Sequence, residues 1–128
     1  MELNKKQMDS LANQTALDAS EIDLDDFLIL TDAEADEKTR EYIEESLWAF
    51  DIHFIDAHSD LNPNALNALC KAKIELCEDS NDLVKAIIKD FDYFVVDAIR
   101  VDGRGHFLSC YDGNEIELPG NLFAYRTN

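Results

Sequence analysis

The sequence predicts an α+β fold: a bundle of three or more helices with a small C-terminal antiparallel β-hairpin or sheet on one side. Three observations predict it. All four glycines, Gly103, Gly105, Gly113 and Gly120, lie in the last 26 residues. Over much of the glycine-free part, apolar residues recur at steps of three and four, the spacing of one helix face. The closing stretch instead holds two turn signals, Asp112-Gly113 and Pro119-Gly120, among short aromatic-rich runs, as strands require. A chain of 128 residues is expected to form a single domain over 1–128 with a real core.

Taken in order, residues 4–14 carry Met8, Leu11 and Ala12 at helical spacing and predict a short first helix. Residues 20–26 are acidic and read as loop. Residues 27–30 are an apolar run between Asp26 and Thr31, either a short strand or a buried lead-in to the next helix. Thr31 and Glu34 form a Thr-x-x-Glu capping box, so a helix starts at Asp32. Its inward stripe is Ala35, Thr39, Tyr42 with Ile43, Leu47 and Phe50, with Trp48 off the stripe and a bend near Asp51.

Asn62-Pro63 starts the next helix, with Asn as cap and Pro in the first turn. Its inner stripe reads Leu66, Leu69, Cys70, Lys73 or Ile74, and Cys77, the cysteines serving as small core residues. Residues 78–81 break that pattern, and Ser80 is the candidate cap of a further helix. Leu83, Val84, Ile87, Ile88, Phe91, Phe94, Val95, Ala98 and Ile99 form the strongest amphipathic stretch. It predicts one central helix, stopped by Gly103. Gly105 then redirects the chain. Residues 106–111 and 121–127 are expected to pair as antiparallel strands, with 115–118 extending the pair. A lone hairpin is marginal in water, so it must lean on helices.

Charge is the outlier of the composition. Asp and Glu number 28 against 11 Lys and Arg, a net charge of −17. Such a surface repels nucleic acid and anionic membranes and attracts basic proteins. The imbalance is uneven: residues 21–56 hold 13 acids and two bases, a net of −11. On the predicted helix, Glu34, Glu37, Glu41, Glu44 and Glu45 fall at steps of three and four and form a ridge roughly 16 Å long. Like charges four apart cost about 0.2–0.5 kcal/mol per pair. Solubility is the plain explanation, but solubility does not require such concentration.

Other chemistries lack their residues. No apolar run reaches the length of a membrane span, and no apolar segment follows Lys5 and Lys6 as a signal peptide would need. Three cysteines without C-x-x-C spacing point to reduced thiols in a cytoplasm rather than to zinc or disulfides. The acids at 23, 25 and 26 are followed by Phe27, Leu28 and Ile29, not by the glycine of a calcium loop. Gly103-Arg104-Gly105 lacks the ending of a phosphate loop, and His53 and His58 lack a His-Glu-x-x-His frame. No metal or cofactor is expected. Basic patches with aromatics are missing, so no direct nucleic-acid binding is expected. His106 and Cys110, sharing a strand face, are the one candidate nucleophile pair. A half-buried thiol beside a backbone-bonded histidine is the simpler reading.

Two stretches carry a resemblance. One runs from Thr31-Asp-Ala-Glu-Ala-Asp to Tyr42-Ile-Glu-Glu-Ser-Leu-Trp-Ala-Phe50. The other is Asp102-Gly-Arg-Gly-His-Phe-Leu-Ser-Cys-Tyr-Asp-Gly113 with the closing Tyr125-Arg-Thr-Asn128. Together they resemble a family of small acidic proteins encoded by bacteriophages and related mobile elements. That resemblance implies a phage setting, in the cytoplasm of a host bacterium, and no assigned chemistry.

Three functions are weighed on this basis. The first is a non-enzymatic counter-defence inhibitor, anti-CRISPR-like, that presents a DNA-mimicking acidic surface to a basic host nuclease or CRISPR effector. DNA binders hold clustered Lys and Arg against a dense row of phosphates, and an acidic ridge can be read by the same side chains. Asp32, Glu34, Asp36, Glu37, Glu41, Glu44 and Glu45 would make that contact, with Trp48 or Tyr42 as an apolar anchor at its rim. The second is a regulatory or host-takeover adaptor binding a protein through Arg104, His106, Tyr111 and Tyr125. The third is an enzyme using His106, Cys110 and nearby carboxylates.

Overall fold

The computed structural model describes residues 2–128 and has the α+β architecture the sequence predicts. It divides into two compact units. One comprises residues up to Thr39 with Asp102–Asn128, the other Arg40–Val101.

The first unit holds a three-stranded antiparallel sheet of β1 (Phe27–Thr31), β2 (Ile116–Leu118) and β3 (Leu122–Arg126), in the order β1-β3-β2. The run at 27–30 is therefore a strand, and it pairs with β3 from Phe27↔Arg126 to Thr31↔Leu122. The β2–β3 hairpin turns at 119–121, where Gly120 and Asn121 both take positive φ, the region that Gly and Asn enter most readily. Helix α1 (Lys5–Thr15) starts at a reciprocal cap, the Asn4 side chain accepting from Gln7 N–H and the Gln7 side chain from Asn4 N–H. Leu11, Phe27, Ile116, Leu118, Leu122 and Ala124 form one core cluster, and Leu30, Ala35, Phe123 and Tyr125 another.

The expected strand at 106–111 is not there. Arg104–Leu108 is a short helix, α7, followed by a turn in which Gly113 N–H donates to Ser109 C=O at 3.1 Å. Gly105 decides this. A Cβ there would lie 2.5 Å from the Gly113 carbonyl oxygen, so the segment folds back tightly on itself. Its aromatic content reflects one buried side chain, Phe107, rather than a pleated face. The hairpin consists of the stretch assigned as an extension, 116–118, with the predicted closing strand.

Helix α2 (Asp32–Glu45) starts where the capping box places it: Thr31 N–H donates to Glu34 Oε1 at 3.0 Å and Glu34 N–H to Thr31 Oγ1 at 3.3 Å. Ala35, Thr39, Ile43 and, just beyond the helix, Leu47 are fully buried, whereas Tyr42 is 50% exposed. The inner stripe therefore runs through Ile43 and not Tyr42. Steps of four from Ala35 keep to one side, and Tyr42 lies about 100° round from Ile43.

In the second unit, Asp51 caps α3 (Ile52–Ala57) and Asn62 caps α4 (Pro63–Leu76). The α4 stripe fails at its end: Ile74 is 74% exposed and Cys77 is exposed, with Cys77 at φ 49°. Of the two alternatives at 73 and 74 it is Lys73 that turns inward, its Nζ donating to Phe50 C=O, and the helix stops at Leu76, so Cys77 no longer follows the stripe. Ser80 does occupy the N-cap position of the following helix, but its side chain makes no cap bond, because its hydroxyl donates to Cys77 C=O at 2.7 Å. The single central helix expected over 83–99 is two, α5 (Asn81–Ile87) and α6 (Phe91–Asp102). Ile88 is extended, Lys89 N–H donates to His58 C=O, and the Asp90 carboxylate accepts from Tyr93 N–H. Apolar spacing stays in phase across the break, which is why it reads as one helix. Phe50, Phe54 and Phe94 pack ring against ring at centroid distances of 5.0–5.7 Å. Gly103, at φ +80°, follows α6 as its predicted stop.

Candidate binding surface on helix α2

Seven of the eight predicted contact residues lie on α2, and the structure sorts them. Asp32 and Asp36 are ion-paired to Arg104 Nη1 at 2.8 and 3.0 Å. Glu34 belongs to the helix cap. The Thr31 backbone N–H, then its hydroxyl, hold the Glu34 carboxyl below the ordinary carboxylate range. Glu44 is half-buried and paired with Lys85. Glu37, Glu41 and Glu45 remain. All three are exposed, and none has an ion-pair partner among the described residues. At steps of four they lie about 6 Å apart along the axis. The nearby cation Arg40 reaches Asp92 at 2.6 Å and lies over the Phe91 ring, so it does not serve that row. Trp48, the eighth, lies in the short turn after α2 and is half-buried, its backbone N–H bonded to the Asn81 side chain at 2.8 Å. The same Asn81 side chain donates to Glu44 C=O, which fixes the end of the helix.

Burial removes two of the four residues of the alternative surface, Arg104 and Tyr125. Arg104 is only 10% exposed at its side chain. Its Nε donates to Glu115 Oε1 at 2.7 Å and its Nη1 to Asp32 and Asp36, while its guanidinium lies over the Phe123 ring at 4.7 Å. Burial by itself would lower its pKa, but the hydrogen bonds to Glu115 and Asp32 outweigh that and raise it. Tyr125 is 0% exposed and its hydroxyl donates to Glu115. Burial, then that carboxylate, push the phenol's pKa up. Arg104 and Tyr125 are thus internal partners, not contact residues. His106 and Tyr111 are exposed, with Tyr111 under the Arg126 guanidinium at 4.0 Å. The nucleophile pair also dissolves: Cys110 Sγ donates to Thr127 C=O at 3.2 Å, and the His106 ring packs on Phe107. With 106–111 no longer a strand, the reason for placing His106 and Cys110 on one face is gone.

One arrangement was not read from the sequence. His58 is buried beside Phe54, Tyr93 and Phe94, and its Nε2 lies 2.7 Å from Asp97 Oδ2. Arg100 holds the other oxygen of Asp97. The bond to His58, then that to Arg100, keep Asp97 below its ordinary pKa. The ring is oriented as a catalytic base would be, but the adjacent Ser59 hydroxyl donates to Asp56 C=O and not to the imidazole. The only sequence cue is His58 four after Phe54, which carries no hint of a carboxylate 39 residues on. Among the described residues, no group of three or more His, Cys, Asp or Glu is placed to hold a metal ion. No helix among them is long and apolar enough to cross a membrane.

No protein-family model, no curated protein and no solved structure matches this chain.

Proposed function

We propose that this protein is a non-catalytic binding protein that presents the Glu37, Glu41 and Glu45 row of α2 to a basic, nucleic-acid-binding protein surface. One observation carries the reading. Those three carboxylates stay exposed and unpaired on one helix face, while their neighbours Asp32, Asp36 and Glu44 have internal cations. A like-charged row destabilises its own helix, and a partner's Lys and Arg side chains would relieve it. Tyr42, one position from Glu41 and half-exposed, supplies an apolar contact at the edge of the row. The phage setting comes from the resemblance to small acidic phage proteins; a host nuclease or CRISPR effector is the proposed partner because such proteins carry a basic, nucleic-acid-binding surface.

The test is capture from a bacterial lysate by the immobilised protein, in parallel with a Glu37→Lys, Glu41→Lys, Glu45→Lys variant. The expected catch is a nucleic-acid-binding protein that duplex DNA displaces and that elutes as salt rises. Three lost contacts of a few tenths to one kcal/mol each predict a loss of about 10- to 100-fold in affinity for the variant. Equal capture by the variant, or indifference to competing DNA, would sink the proposal.

A further inference from the structure

We infer that the outer edge of β1 receives an extended, basic peptide segment of a partner protein, which joins the sheet as a fourth strand. Thr127 N–H donates to Asp26 C=O at 2.8 Å, and the register continues through Leu28↔Tyr125 and Leu30↔Phe123. Antiparallel ladders alternate, so residues 26, 28 and 30 aim their backbone groups at β3, and Phe27, Ile29 and Thr31 aim theirs away. Phe27 N–H turns back to Leu24 C=O, and Thr31 N–H goes to the Glu34 carboxylate. Ile29 has no such outlet: among the described residues nothing bonds its N–H or C=O.

The other edge of the same sheet is handled differently. Beyond β2, the Glu117 carbonyl accepts from Gln14 Nε2 and the Pro119 carbonyl from Gln7 Nε2, both at 2.9 Å and both from α1. On one edge the outward carbonyls are capped by α1, on the other neither backbone group of Ile29 is, and an open edge is a template for strand addition. Leu28 and Ile29 are only half-buried, which leaves apolar surface beside the free groups for a docking strand's side chains.

Charge selects the occupant. Asp23 and Asp25 precede the strand and Glu34 follows it, all three exposed and none with an ion-pair partner among the described residues. A second copy of β1 paired antiparallel at Ile29 would bring Glu34 of each copy beside Asp23 and Asp25 of the other, and like charges opposite one another destabilise a pair. A strand bearing Lys or Arg meets opposite charge at each end instead. This surface is separate from the Glu37, Glu41 and Glu45 row, and either can hold without the other.

Fluorescence anisotropy with a labelled heptapeptide of alternating lysine and valine tests it, at physiological salt. A second peptide, N-methylated at alternate residues, keeps the charge and loses one row of backbone donors. The protein variant is Ile29→Pro, which removes an N–H that serves no internal ladder bond and is tolerated on an edge. The unmodified peptide should bind. N-methylation and Ile29→Pro should each weaken binding roughly tenfold, as the loss of a hydrogen bond implies. Glu41→Gln should leave it within about twofold. If Ile29→Pro fails to fold by circular dichroism, the two peptides decide on the intact protein. Equal binding of both peptides overturns the inference, as does no binding at millimolar peptide. Dimerisation of the protein that Ile29→Pro abolishes also overturns it.

Discussion

Carboxylates at the start of α2 and carboxylates one turn further on have the same chemistry and opposite fates. Asp32 and Asp36 close on Arg104, a cation only 10% exposed that also holds Glu115 and lies over Phe123. Glu37, Glu41 and Glu45 face water with no ion-pair partner among the described residues, although Lys38 lies on the same helix. The first group holds the first unit together; the second strains the helix that carries it. Net charge therefore says little about which charges are available to a partner. An acid counted in the −17 total can already be neutralised by a base 68 or 72 residues away.

The largest test of this contrast removes the cation. Arg104→Ala leaves Asp32, Asp36 and Glu115 facing one another around the Tyr125 hydroxyl. Breaking a fully buried pair costs about 3–5 kcal/mol. The carboxylates here are one-third to two-thirds exposed, so screening reduces the expected loss to about 2–3 kcal/mol. Urea unfolding reads it, and Arg104→Lys should recover only part, since an ammonium cannot reproduce the fork or the stacking on Phe123. A loss below about 0.5 kcal/mol would mean the node is ornamental.

Asp97 extends the contrast to the second unit. Its pKa is lowered in the folded state by His58 and Arg100. Its contribution is therefore fully present above the unfolded carboxylate value, about 3.9, and disappears as pH falls from there through the lower folded value. Urea midpoints measured from about pH 7 down to about pH 2 should drop in the acid range by more for the native protein than for Asp97→Asn. Parallel curves would show that the His58 contact contributes nothing to acid stability.

The smallest effect has the opposite sign. Glu41 has a like charge four residues away on each side, at Glu37 and Glu45. Glu41→Gln removes both repulsions, and with them the attraction of Lys38 three residues back, and should stabilise by about 0.2–0.5 kcal/mol at low salt, with the gain shrinking at about 1 M salt. Destabilisation would mean that Glu41 has an internal role, and the row would lose its claim to be a surface kept for a partner.

Much of this was legible in the residues because it is local. Thr31 and Glu34 lie three apart, and their mutual bonds start α2 whatever packs on it. Asn62-Pro63 and Gly103 mark helix ends by the same short-range logic. The run at 27–30 stayed ambiguous because four apolar residues suit a buried strand or a buried helix equally. It became a strand only through Tyr125 and Phe123, nearly a hundred residues later. The acidic row was legible in outline, but which members are free was not. Neither Asp32 nor Arg104 carries any local mark of the other.

By itself the sequence determined the starts of α2 and α4, the stop at Gly103, the clustering of acids on one helix and the turn at 119–121. Those rest on hydrogen bonds and φ preferences that operate within a few residues. Only the tertiary structure decided that Arg104 and Tyr125 lie inside and that His58 meets Asp97. It also decided that one sheet edge is capped by glutamines and the other is open. These depend on residues distant in the chain meeting at hydrogen-bond range, and a linear pattern of apolar and charged positions does not encode those distances.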